Sequence, residues 1–224
     1  MLNSYRAVLF DLDGTLVDHS NAARAGVIAW SQELGIPPDP ARWQALEQQW
    51  FLAYEHGKLT HSGQRAARVR EYLHEPKLSE TAALQLFNGF LHQYIASMQP
   101  FSGAAEVLEQ CFDCGQLVGI ATNGAASLQT TKLRTTGLWD DRLIMLAAVE
   151  MEAAKPNPEF YTRALDIAGT APADTIMVGD TLPNDVLAPI AAGIAAIHVD
   201  HAGTGTTDPR YPTIRDLSEL LNAP

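Results

Sequence analysis

Apolar positions change their spacing twice along the 224 residues. The first run, YRAVLF over 5–10, is short, unbroken and closed by Asp11, which predicts a buried strand. From about Asn21 to Gln99 the pattern turns amphipathic and predicts four helix-length segments with no strand among them. Breakers divide these segments. Pro37-Pro38 ends the first, and Asp39-Pro40 opens the second with an N-cap and a proline at the first helical position. Gly57 closes that helix, a third spans about 60–74 before Pro76, and Ser79 starts the fourth, which Pro100 ends.

Beyond Pro100 helices and strands alternate. The pattern predicts a helix over 103–113, a strand over 117–122 (LVGIAT), a helix over 125–136 and an apolar strand within 143–149. A helix then opens at Asn157-Pro158, followed by a strand over 175–179 (TIMVG), a helix over 183–192, a strand over 194–199 and a short helix near 216–222. Parallel strands need crossover connections, and these helices supply them. The expected fold is therefore α/β: a Rossmann-like parallel sheet built from 1–18 and 100–224, with an α-helical domain inserted over 19–99.

Composition adds limits. Hydrophobic residues at 46% and charged residues at 18% suffice for one core domain and a smaller companion. Fifteen Lys and Arg against 26 Asp and Glu leave a formal charge of −11, with no basic stripe. That balance argues against nucleic acid polymers and anionic membranes as partners. A small anionic substrate stays compatible, because one metal and a few placed cations reverse a local field. No stretch reaches the roughly 18 apolar residues of a membrane span, and the N-terminal run is too short for a signal peptide. Cys111 and Cys114 form a single C-x-x-C, read as two thiols on a helix in preference to a redox pair or a zinc site. The cytoplasm is the expected compartment. No pattern in the chain speaks to oligomeric state.

The chemistry follows the strands. AVLF leads into Asp11, VGIA into Thr122-Asn123-Gly124, and IMVG into Asp180, while Lys155 stands just before the helix at Asn157. Ligands of open parallel sheets bind at the carboxyl ends of the strands. One crevice thus collects carboxylates, a hydroxyl and a cation, the parts of a phosphoryl-transfer site. Asp11 and Asp13, two apart in extended chain, face the same way, and their repulsion is relieved by a divalent ion. Gly14 permits a sharp turn, across which Thr15 can hydrogen-bond back.

The segment Asp11-Leu12-Asp13-Gly14-Thr15-Leu16 resembles the first signature of the haloacid dehalogenase superfamily. Thr122-Asn123, Lys155-Pro156 and Gly179-Asp180 with Asp185 resemble its other three, in the same order, and the inserted helices resemble its cap. The resemblance implies a phosphatase in which Asp11 attacks phosphorus and becomes an aspartyl-phosphate, while Asp13 first protonates the leaving oxygen and then activates water. It implies Mg2+ held by Asp11, the backbone carbonyl of Asp13, and Asp180. Asp185 would hold a metal-bound water or orient the loop, unless it is only a helix N-terminal acid. Thr122, amides near Asn123, and Lys155 would bind the phosphate, although Asn123 is equally readable as a helix cap.

Substrate choice in this family resides in the cap. Tyr54-Glu55-His56-Gly57-Lys58-Leu59-Thr60 and the stretch VEMEAAKPNP over 149–158 resemble the pyrimidine 5′-nucleotidase branch. The expected substrate is a small phosphorylated metabolite, first a nucleoside 5′-monophosphate. Sialic acid 9-phosphate, phosphoglycolate or a sugar phosphate is the alternative. Trp43, Trp50, Phe51 and Tyr54 offer rings for a base, or else pack the cap helices. His19, His56 and His61 read as surface histidines. Asp13 with Gly14-Thr15 argues against a dehalogenase, Asn21-Ala22-Ala23-Arg24 against a phosphomutase, and the intact acidic pair against a non-catalytic binding protein.

Overall fold

Strands β1 (Ala7–Phe10), β2 (Leu117–Thr122), β3 (Ile144–Ala147), β4 (Thr175–Gly179), β5 (Ala195–Val199) and β6 (Thr213–Ile214) form one sheet in the computed structural model. The structure describes residues 1–203, 205 and 208–221. The order is β3-β2-β1-β4-β5-β6 and every pairing is parallel. β1 is buried at all four positions, as a strand covered on both faces must be. Phe10 stands level with Ile120 on one side and Val178 on the other, which sets the ends of β1, β2 and β4 side by side. The chain builds outward from β1 through β2 and β3, then returns to the opposite edge of β1 with β4. That reversal leaves a crevice at the carboxyl ends of β1 and β4.

The chain divides into two compact units, Met1–Asp18 with Gln99–Pro224, and His19–Met98. The second is made of α1 (His19–Glu33), α2 (Pro40–Glu55), α3 (His61–Tyr72) and α4 (Glu80–Ala96). Asp39, Thr60 and Ser79 each accept a backbone N–H of the first turn that follows, at 3.0, 2.9 and 3.1 Å. Trp30, Trp43, Tyr72, Phe87 and Phe90 pack this unit, with Trp43 and Phe90 ring centres 4.5 Å apart. Trp43 is 1% exposed and so is withdrawn from any ligand-stacking face. Arg68 lies beneath it, 3% exposed, donating to Glu47 Oε1 at 2.6 Å and Gln64 Oε1 at 3.0 Å. His19 is no free-standing surface group. Its ring nitrogens contact Tyr94 Oη at 2.7 Å and Glu47 Oε2 at 3.1 Å. Burial alone would raise Glu47, but Arg68 and His19 outweigh it and hold this carboxyl well below the usual range.

Helices α5 (Ala104–Asp113), α6 (Ala126–Thr135), α7 (Ala148–Met151), α8 (Pro158–Ala168) and α9 (Ala188–Ala191) belong to the sheet unit. Asn157 caps α8 through the Glu159 N–H at 3.0 Å, with Pro158 behind it. Leu9, Leu146, Met151, Phe160, Tyr161 and Met177 pack one core under this helix. Cys111 is buried and Cys114 exposed, both as free thiols, and burial pushes Cys111 up to about 12.

Three expectations change in detail. The apolar run 143–149 stops being a strand at Ala147 and finishes as α7, because Ala148 and Met151 stay buried while the backbone turns. Apolar continuity does not separate strand from buried helix. The helix expected over 183–192 is present but opens as a π-helix over Leu182–Leu187 that passes directly into α9. Pro189 has no N–H for the carbonyl of Asp185, four residues back, so regular α-helix cannot run through. The element near 216–222 is a single turn, Leu217–Leu220, capped by Asp216, and residue 222 lies outside the described residues.

Candidate active site

Asp11 follows β1, Thr122 ends β2, and Asp180 follows β4, so three neighbouring strands deliver their side chains to the crevice. The Asp11 N–H donates to Val178 O at 2.9 Å, which extends the pairing of β1 with β4 to Asp11. Beyond it the chain turns at Gly14, whose φ is +93°. A Cβ there would stand 2.4 Å from Asp180 Oδ2, so only glycine lets this turn approach the β4 carboxylate. Thr15, fully buried, reaches back to Asp11 Oδ2 at 3.4 Å and to Asp180 Oδ1 at 3.3 Å.

Lys155 anchors the opposite side. Its Nζ donates to Asp11 Oδ1 at 2.7 Å, Asp185 Oδ1 at 2.6 Å and Ala121 O at 2.8 Å, and the side chain is 2% exposed. Asn123 holds this lysine's backbone rather than capping α6. Its Oδ1 accepts the Lys155 N–H at 2.7 Å, and its Nδ2 donates to Lys155 O at 2.9 Å. The α6 N-terminus is served instead by Glu150, which accepts the Ala126 N–H. Asp185 is 1% exposed, and its second oxygen accepts the Thr181 N–H at 3.0 Å. It is a buried member of the cluster, not a solvated helix acid.

Asp11, Asp180 and Asp185 offer ligand atoms all within 4.8 Å of one another. With Lys155 among them, three negative charges meet one positive. Burial pushes the Asp11 carboxyl well above its usual value, and Asp185 and Asp180 add to that despite Lys155. Asp180 rises to about 6, first through burial and then through Asp185. Burial alone would lower Lys155, but Asp11 and Asp185 outweigh it and hold the ammonium above the usual lysine value. An excess of oxygen donors with unrelieved repulsion, buried and closely spaced, fits a hard divalent cation such as Mg2+.

Asp13 has separate partners. Lys132 Nζ donates to both its oxygens at 2.6 Å, and Gln129 Nε2 to Oδ2 at 3.0 Å. Neither α6 residue belongs to a motif read from the sequence. The sequence carried no signal for them, since α6 (ASLQTTKLRT) has no clear apolar stripe, and only the fold shows Gln129 and Lys132 buried beside Leu133. His198 and His201 likewise belong to no sequence motif. They contact the backbone carbonyls of Asp180 and Thr15, each at 3.1 Å, and so back the two turns that shape the site.

Residues 5–193 match the haloacid dehalogenase-like hydrolase family. Among curated relatives, the ribulose-1,5-bisphosphate 5-phosphatase of Halopiger xanaduensis is 28% identical over 205 residues, covering 87% of this chain and 84% of that protein. The pyrimidine 5′-nucleotidase YjjG of Escherichia coli is 29% identical over 154 residues, covering 68% and 67%. A crystal structure of the HAD-hydrolase YfnB of Bacillus subtilis, bound to magnesium, superposes with a TM-score of 0.84 at 23% identity over 96% of each chain. Among the described residues no helix is long and apolar enough to cross a membrane. The match across most of the sheet unit and all of the helical one places this chain in the haloacid dehalogenase-like hydrolase family, as an enzyme of its phosphatase kind.

Proposed function

We propose that the enzyme hydrolyses small phosphomonoesters through a covalent aspartyl-phosphate on Asp11, with Mg2+ as cofactor. The observation that carries this reading is the Asp11 carboxylate itself, buried at the strand-order reversal with Lys155 on Oδ1 and a weak Thr15 contact on Oδ2. A carboxylate has about four lone-pair directions, so the others are left for a cation and for phosphorus. One Asp11 oxygen forms a bond to phosphorus as the ester oxygen leaves, and that oxygen takes a proton from Asp13. Water then attacks phosphorus, gives its proton to Asp13, and the bond to Asp11 breaks. Lys155, the Thr122 hydroxyl and the backbone amide of Asn123 neutralise the phosphoryl oxygens. Asp11, Asp180 and the carbonyl of Asp13 would hold Mg2+, with Asp185 steadying its water shell. When bound, the ion supplies Lewis-acid stabilisation of the phosphate. The free thiols fit a reducing compartment, the cytoplasm.

The preferred substrate in this reading is a pyrimidine nucleoside 5′-monophosphate. It is supported by the Tyr54–Thr60 pattern and by the YjjG relationship. Trp50, Phe51 and Tyr54, all half-buried, are the rings left for a base once Trp43 is assigned to packing, with the Phe51 and Tyr54 ring centres 5.5 Å apart. A sugar phosphate is the second reading, supported by the wider coverage of the ribulose-bisphosphate phosphatase match. A panel of nucleotides, sugar phosphates, phosphoglycolate and sialic acid 9-phosphate, assayed with and without Mg2+, tests both. Pyrimidine nucleotides should lead in kcat/KM by at least about tenfold. A flat panel removes the nucleotidase assignment, and a leading sugar phosphate replaces it.

A further inference from the structure

Helix α6 turns three residues inward, Gln129, Lys132 and Leu133, at 1%, 3% and 0% exposed. Leu133 is ordinary core. The other two are polar, and an interior position for a lysine is costly unless a partner compensates it. The partner is Asp13, whose two oxygens both accept from Lys132 Nζ at 2.6 Å. Gln129 stands one turn earlier, on the same face. Its Nε2 donates to Asp13 Oδ2 at 3.0 Å and to Thr122 Oγ1 at 2.6 Å.

Thr122 Oγ1 also accepts the Gly124 N–H at 3.1 Å. A hydroxyl oxygen has two acceptor lone pairs. Both are engaged, so the Thr122 proton is committed to donating outward, the role a phosphoryl oxygen requires. Gln129 Oε1, by contrast, is buried with no hydrogen-bond partner among the described residues. Folding alone disfavours a stranded carbonyl oxygen. The amide is oriented by what its nitrogen serves. Space for it is kept by Gly124, where a Cβ would lie 2.8 Å from Gln129 Nε2.

We infer that Gln129 and Lys132 are positioning residues for the hydrolysis. Lys132 locks the Asp13 carboxylate in place, and Gln129 ties that carboxylate to the Thr122 hydroxyl and fixes the hydroxyl as a donor. The inference rests on the roles given above to Asp13 and Thr122. It has a kinetic signature. A nitrophenolate leaves without taking a proton, so phosphorylation of Asp11 by 4-nitrophenyl phosphate does not need Asp13. Hydrolysis of the aspartyl-phosphate still needs Asp13 to accept the water proton.

Pre-steady-state release of nitrophenol by the magnesium-loaded enzyme separates the two steps. Lys132→Met should keep a burst of about one nitrophenol per site near the wild-type rate, while steady-state turnover falls at least about tenfold. Lys132→Arg should recover to within about threefold, and Lys132→Met should add less than about twofold to the loss caused by Asp13→Asn. Gln129→Glu, nearly isosteric, exchanges the donor for an acceptor that captures the Thr122 proton, and because its carboxylate also faces Asp13 its fold is verified by thermal melting before the burst is read. It should slow the burst itself by about tenfold. Parallel loss of burst and turnover in Lys132→Met, multiplicative losses with Asp13→Asn, or an unchanged burst in Gln129→Glu would overturn the inference. A wild-type enzyme that releases no nitrophenol contradicts the proposed function instead. A working wild type crippled by Asp13→Asn but indifferent to both α6 changes contradicts the inference alone.

Discussion

Lys155 Nζ lies 2.7 Å from Asp11 Oδ1, inside a cluster where Asp11, Asp180 and Asp185 outnumber this one cation three to one. Removing the lysine strands those acids without compensation. Lys155→Met should therefore destabilise the magnesium-free protein by about 3–5 kcal/mol, the usual cost of breaking a buried pair. Added Mg2+ should recover part of that loss, since a cation replaces a cation. Denaturant titrations with and without the metal check this, and an equal loss in both would argue that Mg2+ does not share the cluster.

Removing Asp11's charge has the opposite sign. The carboxyl is buried and held above its usual value, so the ionised form is disfavoured in the fold. Asp11→Asn should leave the magnesium-free melting temperature unchanged or raised while turnover drops at least about a thousandfold. Retained turnover would mean that another group attacks phosphorus.

Asp180 titrates at about 6 instead of the usual 3.8. Between those values the folded chain holds a proton that the unfolded chain has released. That contribution to stability is full below about pH 4, declines as the pH rises, and is gone above 6. The same proton competes with a metal. The rise in melting temperature produced by Mg2+ should grow from pH 5 to 7. Thermal melts across that range test it, and an increment independent of pH would place the metal away from Asp180.

Legibility in the sequence followed the number of residues that each feature spends. β1, β2 and β4 were visible because continuous burial demands unbroken apolar runs. Asp39, Ser79 and Asn157 were visible because a cap needs a particular side chain at a particular place. β6 was not, since two residues carry no period. Within the site, Asp11, Thr122 and Asp180 were visible because they stand at strand ends, and Lys155 because it directly precedes the capped helix at Asn157. Gln129 and Lys132 did not, because α6 lacks a strong apolar stripe against which two polar residues would stand out. Asn123 fitted a helix cap by sequence, and only the fold reveals that Lys155 is its partner.

Buried Arg68 and half-buried Glu47 form a second ion pair, at 2.6 Å, inside the helical unit. Glu47→Ala leaves the Arg68 guanidinium uncompensated beneath Trp43, 5.3 Å from its ring. The change should cost about 3 kcal/mol at neutral pH. Because the folded Glu47 carboxyl is held low, its contribution is present above the unfolded value of about 4.5 and fades only as the pH falls below that. The difference in stability between wild type and variant should thus persist from pH 7 to pH 5. A difference that disappeared over this interval would contradict the pairing.

Covalent phosphorylation of Asp11 is the step on which the proposed hydrolysis depends. Acid-quenching the enzyme during turnover, with intact-mass and peptide analysis, reads it directly. The expected result is a gain of one phosphoryl group, located on the peptide that contains Asp11 and absent from Asp11→Asn. Phosphate release at full rate from an enzyme that never carries the group, or a phosphoryl group on any other residue, would contradict it.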